Sequence, residues 1–374
     1  MSIFKKRCER AQKLMVEKGI DFLIIGGGTD LKYISNYSHG QSERLGSFIL
    51  SVDGKPSYIG PSFEMPRFEH TKIDVFFDLI PWEEWEDPID MIQEFIGQSN
   101  ATIAVNDRHQ FRFLLKYMNR FPNAKFVDAF PVLGEMRIHK DTTEISYLKH
   151  LGKALDRAWA KALDLEYTGR KESELAQDLH NIKKEIFPTI GSPVVSLSSR
   201  AGRPLSGINT ASAHGGGGDR VMEKGDALYW ECGGGSCAGY VGDKTRSGQV
   251  GVETEEYKKM YEIVKETQQT AFEAIRPGVT CESIDIAARK VLTKYGVEEY
   301  MPHRVGHGLG MDGHEYPYLV KGNKRILEPG MVFSVEPGLY FPGKWGIRIE
   351  DIVYVTEDKA ESFYHSTKEY NVLT

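Results

Sequence analysis

Met331-Val-Phe-Ser-Val-Glu336-Pro-Gly and, a few residues on, Gly346-Ile-Arg-Ile-Glu350-Asp351-Ile-Val decide how this chain is read. Both are short apolar runs of strand character with carboxylates set into them. Burying a lone carboxylate costs several kcal/mol unless it is paired or coordinated. The pattern recurs upstream: Glu231 closes Ala227-Leu-Tyr-Trp, and Asp243 follows Gly239-Tyr-Val-Gly. Any one of these is equally well read as a strand end facing water. Four of them in one half of the chain, around a histidine-rich segment, point to a metal cage.

The histidine segment is Pro302-His303-Arg-Val-Gly-His307-Gly-Leu-Gly-Met-Asp-Gly-His314-Glu. Its glycines let backbone approach a ligand closely. His214, in Asn209-Thr-Ala-Ser-Ala-His214-Gly, adds an imidazole from a separate loop. Several carboxylates with one imidazole suit hard divalent ions, Mn²⁺ first, with Co²⁺, Fe²⁺ or Zn²⁺ as alternatives. Two such ions, roughly 3.5–4 Å apart, activate water as hydroxide and clamp the oxygen under attack. The spacing matches neither a zinc finger nor HExxH. Gly26-Gly-Gly-Thr-Asp lacks GxGxxG, Gly215 to Gly218 lacks the Lys-Ser/Thr of a P-loop, and no GxSxG elbow is present.

Around this core, 374 residues are too many for one ordinary domain. The first half alternates helix and strand signals. Residues 3–18, 83–97 and 109–120 read as helices. Strands are read at Asp21-Phe-Leu-Ile-Ile, at Thr102-Ile-Ala-Val, and in a hairpin of Ser47–Val52 and Pro56–Ile59 about the Asp53-Gly54 turn. A boundary falls near 138, giving domains 1–138 and 139–374. Beyond it, helices are read from about 142 to 165 (capped by Asp141 or Thr142), over 170–187, 254–275 and 281–296. Strand runs lie between them.

The formal net charge of −6 offers no basic field for nucleic acid. No run nears the ~18 apolar residues of a membrane span, and Met1-Ser-Ile-Phe-Lys-Lys-Arg7 is not a secretory leader, so a cytoplasmic protein is expected. The four cysteines, Cys8, Cys232, Cys237 and Cys281, form no CxxC pair. Free thiols are preferred over a local Cys232–Cys237 disulfide.

Five segments, in order, resemble the pita-bread metallopeptidases: prolidase, aminopeptidase P and methionine aminopeptidase, with creatinase a metal-free cousin. They are Ser206-Gly-Ile-Asn-Thr-Ala-Ser-Ala-His214, Gly239-Tyr-Val-Gly-Asp243-Lys-Thr-Arg-Ser, His303-Arg-Val-Gly-His307-Gly-Leu-Gly, Leu327 to Tyr340, and Gly346-Ile-Arg-Ile-Glu350-Asp. The resemblance implies an α/β (α+β) chain, with an N-terminal creatinase/prolidase-type domain before a C-terminal pita-bread domain, often as a homodimer. It implies metal ligands at Glu231, Asp243, His307, Glu336 and Glu350, with Asp243 and Glu350 bridging two divalent ions. It places His214, His303 and His314 along the substrate pocket, Glu336 as proton carrier, and Arg348 as an orienting group. The implied reaction is hydrolysis of Xaa-Pro bonds in small peptides, as a dipeptidase or an aminopeptidase. One departure stands out. The family has Asp-x-Gly where this chain has Glu231-Cys232-Gly233, and the interval to Asp243 is one residue longer than usual. Either Glu231 reaches the first metal or Cys232 takes the ligand register; Glu231 is preferred because the glycine stays in place. The same departure motivates an alternative, a same-fold enzyme for a small non-peptide compound (creatinase-, ectoine-hydrolase- or sulfonium-lyase-like). A catalytically dead binding protein is the third reading.

Overall fold

Asp141-Thr-Thr-Glu144 starts the longest helix, Thr142–Ala162, with a reciprocal cap. Asp141 accepts from the backbone N–H of Thr143 and Glu144, and the Glu144 carboxylate accepts from the N–H of Asp141. The cap stands just inside the second of two units, Met1–Arg137 and Ile138–Thr374, in the computed structural model, which describes residues 2–70, 75–97, 100–191, 193, 195–197 and 202–374.

The first unit is one six-stranded sheet of β1 (Phe22–Ile25), β2 (Ser47–Ser51), β3 (Ser57–Pro61), β4 (Asp78–Trp82), β5 (Thr102–Val105) and β6 (Lys125–Asp128), in the order β4-β3-β2-β1-β5-β6. β2 and β3 form the expected hairpin, Phe48 opposite Tyr58. Ile24, Ile49, Ile59, Ile92, Ile103 and Tyr117 pack as one apolar cluster. The helix read over 83–97 spans only Pro88–Ile96. Asp87 caps it and Pro88 fixes its first turn, so residues 83–87 form a turn between β4 and the helix instead.

The second unit carries β7 (Val195–Leu197), β8 (Arg203–Ser206), β9 (Ala227–Glu231), β10 (Gly235–Cys237), β11 (Tyr240–Val241), β12 (Thr245–Val250), β13 (Gly306–Gly308), β14 (Glu315–Leu319), β15 (Val332–Val335), β16 (Gly338–Phe341), β17 (Trp345–Arg348), β18 (Asp351–Val355), β19 (Ala360–Ser362) and β20 (Val372–Leu373). One sheet orders β20-β12-β9-β8 and another β14-β13-β15-β18-β19; β11-β10-β7 and the β16-β17 hairpin complete the set. The run 346–355 is two strands, not one. It breaks at Ile349-Glu350, where β17 leaves β16 and β18 joins β15. An isolated bridge, Thr245 to Glu350, stitches the two larger sheets together at that break.

Candidate metal centre

Each acidic side chain of interest sits where a strand begins or ends. Asp243 lies between β11 and β12, Glu336 follows β15, and Glu350 precedes β18; His307 is central in β13. Among the described residues, two groups of donor atoms converge within 4.8 Å: Asp243, His307 and His314, and His307, Glu336 and Glu350. His307 belongs to both. Its Nδ1 lies 3.0 Å from the Gly308 carbonyl and its Nε2 3.1 Å from Glu336 Oε1. Donation from Nδ1 to the carbonyl fixes the ring and aims Nε2 at the carboxylates.

The electrostatics are those of a cation site. Burial, with Glu231 the next contributor, pushes Asp243 up to about 6. Burial, then Asp243 and Glu336, raises Glu350 well above the ordinary carboxylate range. Glu350 Oε2 accepts from Thr245 Oγ1 at 2.7 Å, but its buried Oε1 has no hydrogen-bond donor among the described residues. Burial also works to raise Glu336, yet the hydrogen bond and charge of His307 bring it down to about 2. For His307, burial is outweighed by Glu336 and the pKa rises. A buried acceptor without a donor, among carboxylates that resist ionising together, fits a divalent ion held by oxygen ligands and one imidazole.

The other histidines surround this centre. His314 stacks on His307 with ring centroids 3.9 Å apart. Burial, and His307 next, lowers it to about 4. Arg304 Nη2 lies 3.4 Å from His314 Nδ1, so Nδ1 accepts and Nε2 carries the proton. His303 is also lowered, chiefly by burial. Its Nδ1 is 2.7 Å from the Arg304 carbonyl, and its Nε2 accepts from Tyr340 Oη at 3.1 Å. His214 is exposed on the loop after β8, close enough to influence both. Arg348 is buried. It donates to Thr245 Oγ1 (3.1 Å) and the Ala213 carbonyl (2.9 Å), and its Nη2 lies 3.6 Å from Glu231 Oε2.

Glu231 belongs to neither tight group, but its charge acts on Asp243 and its carboxylate faces Arg348. Cys232 points the other way. Its thiol donates to the Trp230 carbonyl and is buried among Trp159, Leu175, Leu179 and Val250. All four cysteines are free and buried.

Two residues escaped sequence reasoning. Glu172, buried at the start of the helix Glu172–Ile186, accepts from the backbone N–H of Ser206 (2.6 Å) and Gly218 (2.8 Å), from Ser206 Oγ and from Asn209 Nδ2. It ties both ends of the loop that carries His214. An acid in a first helical turn is commonplace, so nothing local marks it. Lys183, fully buried on the same helix, donates to the Gly233 carbonyl and braces the Glu231-Cys-Gly turn. Burial lowers it to about 8. Its place on the apolar face with Leu175, Leu179 and Ile186 was the available signal.

Two family models match the chain in succession. The description "Metallopeptidase family M24" matches residues 146–357, and "Creatinase/Prolidase N-terminal domain" matches residues 7–139. The chain belongs to metallopeptidase family M24, with a creatinase/prolidase-type α/β domain ahead of the pita-bread domain. It is similar end to end to particular members. A probable dipeptidase, PepE, of Mycobacterium tuberculosis is 34% identical, covering 99% of this chain and 97% of its own length. An Xaa-Pro dipeptidase of Lactobacillus helveticus is 29% identical over 98% of both. The crystal structure of dipeptidase PepE from Mycobacterium ulcerans superposes with a TM-score of 0.91 at 33% identity, covering 99% of this chain and 98% of that one.

Proposed function

We propose that the protein is a metal-dependent dipeptidase that cleaves the bond before proline in Xaa-Pro dipeptides. The observation that carries this reading is the meeting at His307 of two donor groups, Asp243 with His314 and Glu336 with Glu350, beside a Glu350 Oε1 that has no hydrogen-bond donor among the described residues. The dipeptidase names of its full-length relatives give the substrate class. In this reading Asp243, His307, Glu336 and Glu350 hold two divalent ions, with Glu231 reaching the first of them. When bound, the ions polarise the scissile carbonyl and make hydroxide available near neutral pH. Mn²⁺ is the preferred ion because the donors are mostly oxygen. A homodimer, a cytoplasmic setting and a domain division near residue 138 complete the reading; the four free thiols suit a reducing compartment.

The chain's own groups supply positioning and proton handling. His314 Nε2–H, on a ring neutral at pH 7, is the donor for the oxygen that gains charge. His303 accepts from Tyr340 and so orders the pocket wall rather than donating. Glu336, held by Ser334 Oγ at 3.1 Å and by His307, takes the proton of the attacking water and passes it to the leaving nitrogen. Arg348 links the His214 loop to β12 and Glu231 in one geometry. The test is a metal-depleted preparation reloaded separately with Mn²⁺, Co²⁺ and Zn²⁺ and assayed on Xaa-Pro dipeptides and tripeptides. Dipeptide cleavage restored by metal is expected; no metal-dependent release from any of them ends the proposal.

A further inference from the structure

A dipeptidase must recognise a carboxylate two bonds, about 1.5 Å each, beyond the nitrogen it releases. The cations around the histidines are mostly committed. Arg348 is buried against Thr245, Ala213 and Glu231. Arg289 pairs with Asp285 at 2.9 Å, and Lys140 with Glu315 at 2.6 Å. Arg203 lies 3.9 Å from Glu231. Arg304 differs: among the described residues its guanidinium pairs with no carboxylate. It lies over the Tyr318 ring, 4.0 Å from the centroid, with Nη2 against His314 Nδ1.

The sheet explains why this cation stands at the site. His307 and Tyr318 are partners across β13 and β14. Partners in an antiparallel pair face the same side, so Tyr318 rises beside the central histidine and carries Arg304 over that face. Stacking holds the guanidinium plane without consuming its remaining N–H donors, which match a carboxylate in bidentate fashion.

We infer that Arg304, stacked on Tyr318, is the anchor for the free C-terminal carboxylate of the substrate and so restricts the enzyme to dipeptides. The inference rests on the dipeptidase reading. The experiment compares Ala-Pro with its C-terminal amide, using metal-loaded wild type, Arg304→Gln and Arg304→Lys, each checked for unchanged metal content. Wild type should prefer the acid over the amide in kcat/KM. In Arg304→Gln that preference should fall roughly 10- to 100-fold, chiefly through KM, with partial recovery in Arg304→Lys. Equal losses on acid and amide in Arg304→Gln would overturn the assignment and make Arg304 a positioning residue for His314. If wild type cleaves neither peptide, the function proposal fails on its own. Equilibrium binding of L-proline against L-prolinamide then decides Arg304 separately: tighter proline binding that Arg304→Gln abolishes supports the anchor, and equal binding of the two by wild type refutes it.

Discussion

Asp243→Asn should make the metal-free protein more stable, not less. Asp243 is lifted from 3.8 to about 6 by burial and by Glu231, so ionising it in the folded state costs about 3 kcal/mol at 1.36 kcal/mol per pKa unit. The side chain is half-buried rather than sealed, and screening reduces this to about 2 kcal/mol. The sign follows from linkage. A carboxyl raised in the folded state carries no penalty below 3.8, a growing one between 3.8 and 6, and the full penalty above 6. Asparagine removes the charge and keeps the Oδ1 that accepts from the Lys244 N–H at 3.0 Å. For a unit of this size, about 2 kcal/mol corresponds to a Tm higher by roughly 4–8 °C. Calorimetry in chelator at pH 7.5 should show that rise, falling to about half at pH 5 by the same linkage. With saturating Mn²⁺ the order should invert, because wild type gains binding energy that the variant cannot. An Asn variant no more stable than wild type in chelator at pH 7.5 would refute the view that these carboxylates await a cation.

Other outcomes follow from the same geometry. Metal loading should weaken as pH falls below about 6, where Asp243 takes up its proton, and equilibrium dialysis across pH 5–8 measures it. Glu231→Ala should retain roughly one ion per chain by elemental analysis where wild type holds two, with Glu231→Asp intermediate; Cys232→Ser should bind metal like wild type because the thiol faces the apolar cluster. Glu172→Gln should lower kcat/KM about tenfold with metal content unchanged, since at least one backbone N–H of the His214 loop loses its acceptor; pairing it with His214→Ala in a double-mutant cycle should show strong non-additivity. Gly306→Ala should cost about 3 kcal/mol and lower metal content in thermal and elemental assays, because an added Cβ would lie 1.9 Å from the Ser334 carbonyl oxygen in the strand beside His307.

What was legible in the sequence was what periodicity and buried charge express. The reciprocal cap at Asp141, the β2–β3 hairpin and the helices Glu255–Ala274 and Cys281–Tyr295 are local, and they stand close to where the pattern put them. Carboxylates in apolar runs pointed to the candidate centre because desolvation is costly wherever the chain folds. The break at Ile349-Glu350 was hidden, since an unbroken apolar run does not say which partner strand each half takes. The tautomers of His303 and His314 were hidden too, because they depend on Tyr340 and Arg304 arriving from elsewhere. Glu172 and Lys183 act through contacts made only when distant segments meet; Glu172 looks like an ordinary helix start, and for Lys183 the apolar face it sits on marks burial but not its partner.

The bridge between Thr245 and Glu350 sets how the centre responds to force. Asp243 enters from beside the β20-β12-β9-β8 sheet, whereas His307, Glu336 and Glu350 belong to the β14-β13-β15-β18-β19 sheet or its margins. Ions held as proposed would add a cross-link to a seam already closed by the Arg246–Asp351 pair, by Arg246 on the Glu350 carbonyl and by Ser247 on the Arg348 backbone. Loading should slow amide exchange along β12 and β18 together, and stripping the ions should raise exchange at both strands in step. The centre would thus also be one of the joints of its own scaffold, so that occupancy is read out in the stiffness of both sheets at once.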